Sequence, residues 1–135
     1  MMNWPTSGQW KPEEVMLTAS CHCGAVNIEL SEKPQSLTVC NCSICHKIGA
    51  QWAYYTRQQA NVMCAPGAVS AYLWGDKCIE FYHCNTCGCT THYESVEKDS
   101  GSRIALNACM LEPDEIADIP VRKFDGRSTW EFLDE

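Results

Sequence analysis

The stretch Cys40-Asn41-Cys42-Ser43-Ile44-Cys45 constrains this chain most, because three of its six residues are cysteines. Cysteines two and three positions apart on a turning backbone can direct their sulfurs at one metal ion. Three protein ligands leave a tetrahedral zinc ion with one open position, which is the arrangement of catalytic zinc, whereas structural zinc is closed by four ligands. The stretch therefore predicts a metal site with room for a substrate atom.

Two further cysteine pairs flank this stretch, within Cys21-His22-Cys23 before it and Cys84-Asn85-Thr86-Cys87-Gly88 after it. One pair from each side supplies four thiolates, which is a common ligand set of a closed structural zinc site. We therefore expect two zinc ions per chain, one structural and one catalytic.

The chain has 11 cysteines in 135 residues, so a secreted disulfide scaffold must be weighed as well. The count is odd, and the N-terminus lacks the basic start and continuous apolar run of a signal peptide. No stretch has the length and apolarity of a membrane span. Short cysteine spacings without an export signal favour metal or redox use, so we predict a cytoplasmic protein with no membrane attachment.

The charge of the chain restricts its partners. The formal net charge is -7, and the ten Lys and Arg residues are scattered. We expect no nucleic-acid partner, since phosphates require clustered basic side chains. An anionic small substrate would need a specific basic residue beside the site, because the overall field repels it. The candidates are Lys47, directly after the central cysteines, and Arg57 and Arg103 on neighbouring predicted elements.

Apolar and polar residues alternate in short runs, which predicts a mostly β chain with metal knuckles at the ends of its strands. Residues 1–16 are predicted to be an irregular arm, where Trp4 and Trp10 offer apolar area for a possible homodimer contact, and residues 17–135 the domain. Strands are predicted over residues 17–20, 26–30, 37–40, 51–56, 69–73, 79–83, 90–96, 103–110, 121–124 and 128–132, with a helical turn at 112–116 and a polar connection over 57–67.

Three cysteine motifs follow one another in a distinctive order. They are Cys21-x-Cys23-Gly24-Ala25-Val26, Cys40-x-Cys42-Ser43-x-Cys45 and Phe81-x-x-Cys84-x-x-Cys87-Gly88, followed by Leu106-Asn107-Ala108 and by Phe124-Asp125-Gly126 with Trp130. Over residues 17–132 the chain therefore resembles the glutathione-dependent formaldehyde-activating enzyme family, which also includes centromere protein V. Seven cysteines in this order, with the same glycines, make the resemblance specific.

That resemblance implies a β-tent fold of stacked antiparallel sheets with two zinc ions. By the same resemblance, the structural ion is held by Cys21, Cys23, Cys84 and Cys87, and the catalytic ion by Cys40, Cys42 and Cys45. The activity that names the family is that of a carbon–sulfur lyase, which joins glutathione to formaldehyde as S-hydroxymethylglutathione. The chain is thus expected to form or cleave an adduct of a glutathione-like thiol and an aldehyde.

The chemistry expected at the open site is the addition of a thiol to a carbonyl. Zinc held by three thiolates is soft and suits a substrate thiol as its fourth ligand. The resulting thiolate can add to an aldehyde and give a hemithioacetal, while a proton reaches the developing alkoxide. The sequence offers His46, His83, His92 and nearby tyrosines as proton donors and does not choose among them.

The four remaining cysteines are predicted to be non-ligands. They are Cys64, Cys78, Cys89 and Cys109. Cys89 lies two residues past Cys87, but Gly88 already completes the knuckle without it. Cys78 and Cys109 occupy predicted strand positions, where small buried residues are ordinary.

Two other functions fit the same cysteines. Zinc proteins of the β-tent type also serve as non-catalytic modules that bind partners, because a fold does not determine chemistry. A fourth ligand from His46 or Cys89 on the central metal would favour such a module. Clustered cysteines also suit redox or iron–sulfur proteins, and a colourless purified protein would count against that function.

Overall fold

A computed structural model describes residues 15–73, 78–99 and 101–133, and β-strands dominate this part of the chain. The strands are β1 (Leu17–Ser20), β2 (Val26–Leu30), β3 (Leu37–Cys40), β4 (Trp52–Thr56), β5 (Ala60–Cys64), β6 (Val69–Tyr72), β7 (Ile79–Cys84), β8 (Thr90–Ser95), β9 (Arg103–Asn107), β10 (Val121–Asp125) and β11 (Glu131–Phe132). The helical elements are α1 (Ser43–Ile48), a 3-10 turn (Ala108–Met110) and α2 (Pro113–Ile116). The mostly β prediction is confirmed.

The strands form two sheets. A small sheet has the order β1-β2-β5, and a large one has the order β11-β10-β3-β4-β9-β8-β7-β6. Neighbouring strands are antiparallel except β3 and β10, which are parallel and pair Leu37 with Val121 and Cys40 with Phe124. The expectation of antiparallel sheets is therefore wrong for this pair. The reason is that β10 returns to β3 from the far end of the chain rather than through a hairpin.

Side chains from both sheets meet in the main core. Along β2, Val26, Ile28 and Leu30 are almost fully buried, while the two polar residues between them are only half-buried. They pack with Val62 from β5 and with Leu106 from the large sheet. The alternation in the sequence thus correctly identifies the face of the small sheet that is removed from water.

The strand β5 is the main element that the sequence analysis missed. Residues 57–67 were expected to form a polar connection, yet Ala60–Cys64 pairs in full register with β2. Asn61 argues against a strand in the sequence, because asparagine is common in turns. In the structure its amide donates to the Glu29 carboxylate at 3.4 Å across the sheet. Cross-strand pairing satisfies this amide, so a polar residue can occupy a buried strand position.

The helix α1 was also missed, because the central cysteines were expected in a bent loop. Ser43–Ile48 is helical, and Gly49 ends it in the left-handed conformation (φ 73°), which glycine adopts readily. The predicted helical turn near residue 113 is confirmed as α2. Neither of these helices is long and apolar enough to cross a membrane within the described residues.

The remaining predictions have mixed outcomes. Cys78 and Cys109 are exposed, so the expectation that they are small buried strand residues is wrong, and Cys109 lies in the 3-10 turn. Cys64 is fully buried. The arm lies outside the described residues up to position 14.

Cross-strand register divides the large sheet into two faces. Tyr54 on β4 and Tyr93 on β8 both lie opposite Ala105 on β9, so the three side chains share one face with Trp52. Tyr55, which follows Tyr54 on β4, points the other way, into the main core. Helix α1 packs on the first face through a second apolar cluster. We call this first face the site face and the other the core face.

A buried ionic network lies on the core face. The Nε2 of His92 donates to Glu94 at 3.0 Å, and Arg57 donates to the other oxygen of that carboxylate at 2.5 Å. The ring of Tyr82 stacks on His92 at 4.8 Å between centroids. Burial alone would raise the pKa of Glu94, but the hydrogen bond and charge of His92, together with Arg57, outweigh it and hold the pKa below its ordinary value. This network is polar but fully paired.

We predict that β5 contributes to stability as a core strand. Val62→Ala should lower the free energy of unfolding by about 2 kcal/mol, because it leaves a cavity at a position that is 6% exposed. Urea denaturation followed by circular dichroism measures this. Val121→Ala is the control, since Val121 is a strand residue with 49% exposure and should lose less than about 0.5 kcal/mol. Equal losses would contradict the core position of β5.

We predict a pH-dependent contribution from Glu94. A carboxyl with a lowered folded-state pKa stabilises the fold above its unfolded pKa, and that stability is lost as the pH falls through the folded value. Glu94→Gln should therefore cost about 3 kcal/mol at pH 7, since it unpairs buried charges, and the deficit should shrink as the pH falls below about 4.

The matched control for this experiment is Glu80→Gln. Glu80 pairs with Lys98 in a more exposed position, so its loss should cost less than about 1 kcal/mol. Comparing each variant with the parent protein at every pH cancels the protonation of cysteines, which all three proteins share. A Glu94→Gln deficit that stays constant between pH 7 and about pH 3 would refute the linkage.

Candidate metal centres

Four predicted ligands converge between the two sheets. The Sγ atoms of Cys21, Cys23, Cys84 and Cys87 all lie within 4.8 Å of one another. Cys21 and Cys23 lie in the turn between β1 and β2, and Cys84 ends β7. The sulfur of Cys23 is 3.7 Å from that of Cys21 and 3.6 Å from that of Cys84. We call this group the four-cysteine cluster, and its donor set fits zinc.

Backbone amides surround these sulfurs. The N–H groups of Thr86 and Cys87 donate to the Cys84 sulfur at 3.4 and 3.5 Å, and Gly88 allows this tight turn with φ at 81°. The backbone N–H of Cys89 is the largest of the causes that lower the pKa of Cys87, to about 5. Because thiolates are the form that binds metal, these amides prepare the cluster for a cation.

The three central cysteines also converge. Cys40 ends β3, Cys42 directly precedes α1, and Cys45 lies in the first turn of that helix. Their sulfurs all lie within 4.8 Å of one another. We call this group the three-cysteine cluster. Across the parts of the chain that the structure describes, no fourth His, Cys, Asp or Glu atom joins it.

The start of α1 gives the three sulfurs different environments. Burial raises the pKa of the Cys45 thiol. Burial also acts on Cys42, but the backbone N–H groups of Cys45 and Ile44 outweigh it and lower the pKa of Cys42 below its usual value. The turn from strand into helix thus supplies N–H donors next to a sulfur, which favours a thiolate at this point.

An aromatic floor lies beneath the three-cysteine cluster on the site face. Trp52 donates its indole N–H to the Cys45 sulfur at 3.3 Å. Its ring centroid lies 4.8 Å from that of Tyr93 and 6.1 Å from that of Phe81. Sequence analysis placed Trp52 on a strand but gave no sign of this contact, because Cys45 reaches it through a helix that was not predicted. The floor makes the vicinity of the cluster apolar.

A segment near the C-terminus forms a wall beside the same cluster. Asn41, between two cysteines, donates to the Asp125 carboxylate at 3.0 Å and accepts from the backbone N–H of Arg127 at 3.0 Å. Gly126 follows Asp125, and a Cβ added there would lie 2.7 Å from the Cys40 sulfur. The Phe124-Asp125-Gly126 motif was noted in the sequence, but its place beside the cysteines was not expected.

Comparisons with known proteins agree with this geometry. The model of the family described as "Glutathione-dependent formaldehyde-activating enzyme" matches residues 16–122. This chain belongs to that family. It is also similar to a Rhodobacter sphaeroides protein of known crystal structure, with 26% sequence identity, a TM-score of 0.63, and coverage of 78% of this chain and 99% of that one. The fold expected from the cysteine motifs, a β-tent with cysteine knuckles, is confirmed for this member of the formaldehyde-activating enzyme family.

The histidines and basic residues considered as proton donors or anion-binding groups lie on different parts of the domain. In this family member, His92 and Arg57 are hydrogen-bonded to the Glu94 carboxylate on the core face. His46 and Lys47 are exposed on α1, as expected for His46. Arg103 lies on the site face, where its guanidinium is 4.4 Å from the ring centroid of Tyr54. Of the candidate basic residues, Arg103 is thus the one placed on the aromatic side of the large sheet.

Tyrosine hydroxyls also occur on the site face. Burial raises the pKa of Tyr93 and also that of Tyr54, even though a hydrogen bond from Tyr93 and the charge of Arg103 act to lower the pKa of Tyr54. Both side chains therefore keep their protons at neutral pH. Both share this face with Trp52, whereas His92 does not.

We predict that the wall keeps the three-cysteine cluster competent for metal. Gly126→Ala should reduce the metal bound from about two ions per chain toward about one, because the new methyl group would collide with the Cys40 sulfur. Metal analysis after dialysis measures this. Gly101→Ala is the control, because its nearest contact would be an ordinary 3.7 Å. Full metal content in Gly126→Ala would show that the wall has no such role.

Proposed function

We propose that this protein is a zinc-dependent carbon–sulfur lyase of the formaldehyde-activating type, which forms or cleaves an adduct of a glutathione-like thiol and an aldehyde. Its family membership supports this reaction class. In the proposal, Cys21, Cys23, Cys84 and Cys87 bind a structural zinc ion, and Cys40, Cys42 and Cys45 bind a catalytic one. We place the reaction in the cytoplasm, as the sequence analysis predicts.

The observation that carries the proposal is the difference between the two clusters. One has four convergent sulfurs and the other has three, and the second packs against a face with aromatic and hydroxyl groups. Thiolate sulfur suits a soft or borderline ion such as zinc. At the three-cysteine cluster, bound zinc would supply a position where a substrate thiol is held as thiolate near neutral pH, although its free pKa is about 8.5.

The reaction requires one new bond and one proton. The substrate sulfur donates an electron pair to the carbonyl carbon, a C–S bond forms, and the carbonyl π electrons move to oxygen, which takes up a proton. In cleavage the same steps run backward. Tyr54 and Tyr93 are protonated at neutral pH and share the site face with Trp52, so we assign the proton to this pair. A general acid of this kind contributes about a hundredfold or more.

The chain also controls the surroundings of the sulfur. Trp52 and Phe81 cover the cluster from below, and an apolar floor strengthens every electrostatic contact above it. The hydrogen bond from Trp52 to Cys45 disperses negative charge on a ligand sulfur, which makes a further anionic ligand easier to accept.

The test uses the cobalt-substituted protein, whose visible spectrum reports the number and geometry of thiolate ligands. We expect the spectrum to change saturably on addition of glutathione or another small thiol, because the thiol completes the coordination of the open cluster. Cys42→Ser should abolish this change. Cys109→Ser is the matched control, since Cys109 is exposed and belongs to neither cluster, and should leave the response intact.

A spectrum that no thiol perturbs would refute the lyase. The central cluster would then be closed or inaccessible, and the alternative of a non-catalytic zinc-binding module would take its place.

A further inference from the structure

Arg103 combines three features that are uncommon for a surface arginine. It lies on the site face, because it is two residues from Ala105 on β9, and Ala105 packs in the cluster that contains Cys45. Its guanidinium lies 4.4 Å from the ring centroid of Tyr54 and also donates a hydrogen bond to the Tyr93 hydroxyl. The side chain is thereby held in one place on the aromatic side of the sheet.

This guanidinium lacks a carboxylate partner within residues 15–73, 78–99 and 101–133. The ion pairs described there involve Lys33, Arg57, His92 and Lys98, and none involves Arg103. Arg57, the other arginine considered from the sequence, is paired with Glu94 at 2.5 Å on the core face. Apart from its hydrogen bond to the Tyr93 hydroxyl, Arg103 thus keeps its other N–H donors available for an incoming anion.

The spacing between Arg103 and the three-cysteine cluster suits a short substrate. Trp52 contacts the Cys45 sulfur and precedes Tyr54 by two residues on β4, and a two-residue step along a strand covers about 7 Å. A thiol whose carboxylate is two or three carbons from its sulfur can cover a span of this order.

The charge of the protein makes a local cation necessary for such a substrate. The formal net charge is -7, so the long-range field opposes an anionic thiol. A fixed guanidinium over an aromatic ring offsets this locally and can form two parallel hydrogen bonds to a carboxylate.

Resting on the function proposed above, we propose that Arg103 is a specificity-determining residue, which binds the carboxylate of the substrate thiol while Tyr54 holds the guanidinium in place. The substrate class is therefore a carboxylated thiol. Its carboxylate binds on the site face rather than to the exposed Lys47 of α1.

The experiment compares two thiols that differ only in charge, 3-mercaptopropionate and 3-mercaptopropionamide. Their dissociation constants for the cobalt-substituted protein are measured by visible titration, in the parent protein and in Arg103→Gln. We expect the variant to bind the carboxylate about tenfold more weakly and the amide with unchanged affinity, as for loss of a charge-assisted hydrogen bond. The ratio between the proteins cancels the different acidity of the two thiols.

Two further variants make the result specific. Arg103→Lys keeps the charge but not the planar donor pair and should recover only part of the affinity for the carboxylate. Lys123→Gln removes the same charge from an exposed residue of β10 and should change neither constant. An equal loss for both thiols in Arg103→Gln, or no loss for either, would overturn the role of Arg103. A parent protein that responds to glutathione but binds neither of these two thiols would overturn this inference alone. A protein that responds to no thiol, glutathione included, would overturn the lyase proposal as well.

Discussion

The four-cysteine cluster is the constraint on which the rest of the structure depends, because it fastens the two sheets together. Two of its sulfurs come from the turn between β1 and β2, in the small sheet, and two come from the end of β7, in the large one. Sulfurs 3.6 to 3.7 Å apart repel one another once they ionise. A cation bound there would convert that repulsion into a crosslink, which would couple metal binding to folding in a domain of this size.

With the sheets joined, the large sheet can serve two purposes. Adjacent residues of β4 show this division: Tyr55 enters the main core, whereas Tyr54 lies under Arg103 on the site face. The core face holds the ionic network of His92, Glu94 and Arg57, in which His92 and Glu94 are buried and paired. The three-cysteine cluster packs on the other face, where we propose that the chemistry takes place. The alternation of side chains along a strand thus separates stabilising charges from reactive ones by a single position.

Sequence reasoning succeeded here where the decisive information is local. The spacing within each cysteine motif, the strands β6 and β7, and the alternation in β2 depend on neighbours along the chain, and all were predicted. It failed where distant contacts decide. Asn61 in β5 is acceptable only because β2 pairs with it. The parallel partner of β3 lies more than 80 positions away along the chain. So does Asp125 from Asn41, its hydrogen-bond partner. Nothing near Cys45 in the sequence indicates that Trp52 donates to its sulfur.

The balance of charge at the three-cysteine cluster explains why these distant contacts are needed. With a divalent ion bound, three thiolates would leave one net negative charge, and the substrate thiolate of the proposed reaction would add another. The chain places smaller dipoles around the sulfurs: the indole N–H of Trp52 and the first amides of α1. Each disperses part of the charge without occupying the fourth position. A lysine at the cluster could stabilise the empty site, but it would compete for the thiolate that the site must release to carbon. A full positive charge is therefore best placed at the distance of Arg103, where it can attract the far end of a substrate and leave the sulfur nucleophilic.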